Sequence, residues 1–337
     1  MGGKPFFRHY GPDLTGLFLG DTGALGVKTR VALRLMRIPP SARFVSFEFE
    51  DRQLFAEAMA EVARSRLVSM CFGMDPVLQH QRMKRTSLTQ DVKALKGVVT
   101  SARNIGKGLK EAAKVALAGR SFLEEHSYST HYIVEGRTEA EADEKLEAVR
   151  KICLEHGSEV ENTLPKVLYG DNFFPMTTAI GPEGERWAPV HGLVPLGDAP
   201  DTIAKIESVR ASHAEAMERC GVVIGLLLST VSTNAFVIEP VFYWPGPQTL
   251  YYKRVLEHGY LAKLKQFDRN PETEALVTTL RQEIIAVFTD MGGTHLQIGK
   301  VYPYRQGREA TAWKLVEAIK DAVDPNRLVN PKSLGLD

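Results

Sequence analysis

Cysteine is scarce. Three stand in 337 residues, Cys71, Cys153 and Cys220, far apart. An odd, dispersed set excludes a disulfide framework and points to a reducing compartment. No CxxC or HxxxH spacing occurs, so no metal site is expected. No run of eighteen apolar residues offers a membrane span, and no apolar leader opens the chain; the location expected is cytoplasmic. One sign of charge does not dominate either. The formal net charge is +1, which gives no global field for nucleic acid. What remains, 44% hydrophobic and 25% charged residues, is ordinary for a globular protein with room for two domains.

Glycine is abundant in one place. Gly11, Gly16, Gly20, Gly23 and Gly26 fall within sixteen residues, followed by alternation of Val27, Thr29, Val31, Leu33 and Leu35. Residues without a Cβ let a backbone take positive φ and approach a ligand, and successive free N–H groups make anion-binding concavities. The alternation predicts a strand. Spacing alone is equally satisfied by two tight turns before a core strand.

The residues Asp13–Thr29, DLTGLFLGDTGALGVKT, resemble the DLTGLFxGSEGTLGxxT signature of FAD-linked oxidases. This is the superfamily of vanillyl-alcohol oxidase and p-cresol methylhydroxylase, which also contains D-lactate and glycolate dehydrogenases. Asp324–Asn330, DPNRLVN, resembles their DPxGxLNPGK tail, and Gly292–Lys300, GGTHLQIGK, is similar to their substrate-side motif ending in Gly-Lys. The resemblance implies an α+β fold: the C-terminal part of a p-cresol methylhydroxylase-type FAD-binding domain plus a ferredoxin-like α+β cap. It implies FAD-binding segments over 1–43 and 291–337 around a cap over 44–290. In the family a first lobe with the pyrophosphate loop precedes the glycine stretch. The resemblance implies that this chain lacks that lobe, through a truncated gene, a split gene or a partial chain.

Pattern supplies the cap's elements. Pro39 and Pro40 mark a linker over 36–43. Strands are expected over 44–49, 67–72, 128–134, 190–196, 222–230 and 235–243. Helices are expected over 51–64, with a stripe of Leu54, Phe55, Ala58 and Val62, and over 201–219, 271–291 and 311–323. Thr138 with Glu141 reads as a capping box, Gly157 as a terminator, and Ala142, Leu146, Val149 and Cys153 as a buried stripe. Repeated β-α-β units suit a ferredoxin-like cap. A basic helical insertion lies at about 79–120; between Arg82 and Arg120 stand ten Lys or Arg against two acidic residues. Such a segment is either a solvated helical insertion or a peripheral foot on an anionic membrane surface, and both readings stay open.

For FAD the resemblance implies Asp13, Leu14, Gly16, Gly20, Gly23, Gly26 and Val27, mainly through backbone, with Asn330 closing from the tail. Two departures stand out: Asp21-Thr22 replaces Ser-Glu, and Lys332-Ser333 replaces the tail's Gly-Lys. Near the cap strand where some relatives attach FAD covalently through His or Tyr, Asn234, Ala235 and Phe236 offer neither, so noncovalent FAD is expected. The family's His-x-Gly-Asp-Gly-Asn-x-x-His metal motif is absent. The chemistry implied is hydride transfer from a small hydroxylated substrate to flavin N5, with electrons passed to an unidentified acceptor. A 2-hydroxy acid such as D-lactate or glycolate is favoured and an alkylphenol or aryl alcohol is the alternative, and the substrate class stays open. Gly292-Gly293 replaces the Tyr-Arg pair of the phenol-oxidising type, while Thr294-His295-Leu296 suits that type's alignment and the Glu and His of the D-lactate type fall on Gly293 and Thr294. Removing the hydroxyl proton needs a group titrating near neutrality. His295 is the first candidate, on the family's substrate-side strand. His191 and Glu239 are the others; Glu239 reads equally as a structural carboxylate, and His191 reads more readily as a structural residue. A homo-oligomer, a separate FAD-lobe chain and a noncatalytic subunit stay open.

Overall fold

The computed structural model describes residues 11–83, 127–170 and 176–336. Most of the basic insertion, with its membrane-foot reading, lies outside them. The chain forms two compact units. One takes both chain ends, Met1–Ile38 and Gly293–Asp337; the other is Pro39–Gly292.

In chain order the elements are α1 (Leu14–Leu17), β1 (Ser41–Phe49), α2 (Arg52–Ser65), β2 (Met70–Met74), α3 (Pro76–Met83), β3 (Tyr128–Gly136), α4 (Glu139–Cys153), β4 (Ser158–Val160), α5 (Thr163–Gly170), β5 (Arg186–Pro189), β6 (Gly192–Pro195), α6 (Ala199–Ser212), α7 (Ala214–Cys220), β7 (Val223–Val231), β8 (Ala235–Trp244), α8 (Leu250–Val255), α9 (His258–Leu261), α10 (Pro271–Asp290) and α11 (Ala310–Val323).

The second unit is one eight-stranded sheet in the order β4-β1-β3-β2-β7-β8-β5, with β6 also on β8. The first four strands give the ferredoxin-like arrangement expected: β1 and β2 flank β3, and both pair with it antiparallel. Helices α2, α4, α6 and α10 contact the sheet. The face they cover carries Val45, Phe47, Phe49, Tyr132, Leu226, Leu228, Phe236 and Ile238, all buried. Two glycines make that approach possible. A Cβ on Gly73 would stand 2.8 Å from the Phe55 ring of α2, and one on Gly192 2.0 Å from Phe288 of α10.

Local chemistry explains the helices. The Thr138 hydroxyl accepts from Glu141 N–H at 3.1 Å, and all four stripe residues of α4 are buried. Glu141 reaches Arg137 N–H rather than closing the box on Thr138. On α2 the carboxylate of Asp51 caps two N–H groups, and the buried set is wider than the expected stripe, with Leu54 left partly exposed. The helix expected over 201–219 breaks at His213, whose ring bonds Glu283 of α10 at 2.9 Å. The strand expected over 190–196 is interrupted between β5 and β6, because Pro240 opposite has no N–H to return.

The strand expected over 27–35 does not form. Residues 27–38 carry no secondary structure, and Val27, Val31, Leu33 and Leu35 are 67–89% exposed. Their β-propensity is sound, but a strand exists only with a ladder partner, and the described residues supply none.

In the first unit the two chain ends close on each other through Lys320. This ammonium is 1% exposed and donates to Ala24 O at 2.7 Å, Asp324 Oδ2 at 2.6 Å and Val329 O at 2.8 Å. Ala24, Trp313, Leu334 and Leu336 form an apolar cluster beside it. Lys320→Met removes the charge that compensates three buried acceptors and is expected to cost on the order of 3 kcal/mol. Urea denaturation of that unit, followed by Trp313 fluorescence, checks this; an unchanged midpoint would contradict it.

Candidate functional site

The glycine stretch is held from within and from the tail. Asp13 caps α1 by accepting Gly16 N–H at 2.8 Å. Asp21, 3% exposed, accepts from Gly23 N–H at 3.1 Å and Leu25 N–H at 3.0 Å, and pairs with Lys28. Those bonds fold a turn in which Thr22 and Gly23 take φ of 50° and 80°. Opposite, Asp324 accepts from Leu328 and Val329 N–H while bonded to Lys320, and that Lys320 bond above all holds its carboxyl below the usual range. Asn330, at φ 43°, donates to Thr22 O at 3.0 Å. The two positions that depart from the family pattern meet: Thr22 Oγ1 lies 2.8 Å from Ser333 Oγ.

Asn330 therefore lies against the turn at Thr22 and Gly23. Asp13, Leu14, Gly20, Val27 and Asn330 are exposed, and Gly16, Gly23 and Gly26 are partly buried. Among the described residues the N–H groups of Gly20 and Gly26 donate to no protein acceptor. A Cβ built on Gly20 meets nothing within 4 Å, so the protein itself does not demand glycine there. Unspent donors beside an open glycine fit the polar part of a large planar cofactor. His295 lies in an irregular stretch rather than on a strand, its ring stacked on Tyr302 at 4.1 Å.

The second unit brings His191 and Glu239 together. Pro189 opposes Val241 and Gly192 opposes Ile238, so the register places His191 across from Glu239. Their Nε2 and Oε2 atoms are 3.7 Å apart. Directly opposed residues share a face. One cross-strand row therefore runs Glu48, Ser129, Met74, Leu227, Glu239, His191. The next row holds Ser46, His131 and Phe72. This is the face opposite the main helical layer. Its end near Tyr243 is covered by α3, where Leu78 would meet a Cβ on Gly225. Asp75 pins α3: Oδ1 accepts Leu78 and Leu226 N–H, both at 2.8 Å, and Oδ2 accepts from Arg210 at 2.6 Å.

Burial pushes the Glu239 carboxyl up to about 7, and Arg82 of α3 partly opposes the shift. His131 was not anticipated. It is fully buried, bonded to Ser46 Oγ at 2.9 Å and Ser129 Oγ at 3.1 Å, and stacked on Phe72 at 4.8 Å. Burial lowers it to about 3, so it stays neutral. The signal was present as polar residues alternating against apolar ones on two strands, Ser46 and Glu48 on β1, Ser129 and His131 on β3. Among the described residues no cluster of His, Cys, Asp and Glu suits a metal, and no helix is long and apolar enough to cross a membrane.

The Glu239 shift sets a pH test. The unfolded carboxyl ionises near 4.5 and the folded one near 7, so folded stability falls as pH rises between them and levels off above. Glu239→Gln is expected to flatten this fall by about 2–3 kcal/mol between pH 5 and 8, read from urea unfolding at each pH. Parallel curves for both proteins would contradict it.

No family model and no curated protein matches the sequence. Solved structures do. Alkyldihydroxyacetonephosphate synthase superposes with a TM-score of 0.57 at 13% identity, over 95% of this chain and 49% of its own. A 4-ethylphenol oxidase from Gulosibacter chungangensis, solved with isoeugenol, gives a TM-score of 0.57 at 13% identity, over 100% of this chain and 62% of that one. The chain spans about half to three-fifths of the length of these proteins. The likeness shows the fold: this chain, a mixed arrangement of helices and an antiparallel sheet, folds as the matched parts of these two proteins do.

Proposed function

We propose that this chain is the substrate-side part of an FAD-linked oxidoreductase that binds FAD noncovalently and oxidises a small hydroxylated substrate. The observation that carries the reading is the glycine turn clasped to the tail, with backbone donors at Gly20 and Gly26 that no protein acceptor takes up among the described residues. Residues 13–27 and Asn330 would hold the cofactor, which when bound supplies a two-electron acceptor for the substrate's hydride. Glu239, poised near neutrality, takes the hydroxyl proton as its carboxylate and becomes the neutral acid, and His191 beside it orients the carboxyl group. His131, neutral throughout, orients rather than titrates. His295 on its aromatic support is the second candidate base.

A 2-hydroxy acid such as D-lactate or glycolate is the finer reading. Its support is Arg82, a cation whose field reaches Glu239 and suits a carboxylate on the substrate. The alternative is an alkylphenol or aryl alcohol, in keeping with the likeness to 4-ethylphenol oxidase. A partner-dependent reading has its own observation. The exposed alternation over 27–38 has the composition of a strand awaiting a sheet edge, which a separate FAD-binding chain would supply.

Two variants test this. Gly20→Val enters open space on the protein side, so it is expected to keep the melting temperature while weakening FAD binding at least about tenfold, read by quenching of flavin fluorescence. Wild-type affinity in that variant would remove the turn from the cofactor site. In the assembled enzyme, Glu239→Gln is expected to lower kcat about a hundredfold with FAD content intact. An unchanged rate there, with a hundredfold loss in His295→Ala, would move the base to His295.

A further inference from the structure

The outer edge of the sheet carries a cavity that the acid–base pair does not use. Arg186 opens β5, the terminal strand, opposite Trp244 of β8. Its guanidinium carbon stands 5.3 Å from the centre of the Trp244 ring. Its stem passes Gly246, where a Cβ would come within 2.8 Å of Arg186 Cγ. The Tyr252 hydroxyl bonds Arg186 and also accepts Trp187 N–H at 3.0 Å. The guanidinium is thus set by a ring, a hydroxyl and a close backbone, yet it meets no carboxylate among the described residues.

A planar fork of five donors, held in place without an anion, is matched to a carboxylate. Arg186 lines a cavity of about 290 Å³ with Trp187, Thr249, Tyr251 and Tyr252. That volume is at the small end of ligand pockets, enough for one ring bearing a carboxylate. Two of the walls, Tyr251 and Tyr252, are aromatic, and Tyr251 stands half-exposed at 52%. Trp187 alternates with Arg186 along β5 and turns its ring to the other face, against Met74 and Leu78, leaving its backbone at the cavity. We propose that this cavity binds an aromatic carboxylate, with its anionic end on Arg186 and its ring against Tyr251. His191 lies four residues beyond Trp187, about 13 Å along an extended chain, so a single-ring acid held here does not reach Glu239. The site is therefore a second one, and it stands whether or not the flavin reading does.

Titration of the full chain with benzoate, followed by tryptophan fluorescence, tests it. Benzoate is expected to saturate; benzyl alcohol, which keeps the ring, and inorganic phosphate, which keeps the charge, are each expected to bind at least about tenfold more weakly. Arg186→Gln is expected to weaken benzoate about tenfold or more, and Tyr251→Ala, at an exposed position that keeps the fold, about threefold. Glu239→Gln is expected to leave benzoate affinity unchanged. The proposal is overturned by an absence of saturable benzoate binding, by benzyl alcohol or phosphate binding as well as benzoate, or by full affinity in folded Arg186→Gln. Should Arg186→Gln not fold, full affinity in Tyr251→Ala overturns it.

Discussion

A single buried ammonium holds the two ends of this chain together. Lys320 has three protons and meets three acceptors, one in the glycine turn, one on Asp324 and one in the tail backbone. A buried lysine is tolerated only when its charge is compensated and its donors are spent, and both conditions hold. The same Asp324 carboxylate caps the following turn through Leu328 and Val329, and that turn delivers Asn330 and Ser333 to Thr22. Removing the ammonium would therefore strand the turn and the tail at once. The tail also carries Arg327, Asn330, Lys332 and Leu334 at positive φ, conformations that persist only where surrounding bonds over-determine them.

The sheet unit is organised by a different constraint. One face is filled by helices and is apolar; the other carries Ser46, Ser129, His131, Glu239 and His191. Polar groups on a largely buried face are costly unless they are partnered, and here each histidine has a near neighbour of complementary chemistry. Asp75 and Arg210 tie α3 to β7 and so fix the segment that carries Arg82. The raised carboxyl of Glu239 follows from this burial rather than from a like charge beside it.

Local patterns were legible where one residue's neighbours in sequence are its neighbours in space. The α4 stripe, the Thr138 cap and the first β-α-β unit are of that kind. The closure of the glycine turn on the DPNRLVN segment was expected from family resemblance, and its agents were not. Lys320 sits on a helix among ordinary residues, and nothing in the sequence marks it as buried. Thr22 and Ser333, read separately as departures, compensate each other across 311 positions. The pairing of His191 with Glu239 needed a strand register, which spacing does not carry. The strand over 27–35 failed for the converse reason: its own residues favour extension, but pairing is a property of a partner. His213 broke a helix because its ring found Glu283 on a distant element.

The central claim is that the glycine turn and the tail act as one cofactor-binding surface. Hydrogen exchange of the chain with and without added FAD tests this most directly. The account expects slower exchange at Gly20–Gly26 and at 328–334 together, since ligand bound to one segment stabilises the other through Lys320, Asn330 and Ser333. Protection of one segment alone, or of neither while FAD binds elsewhere, would contradict it.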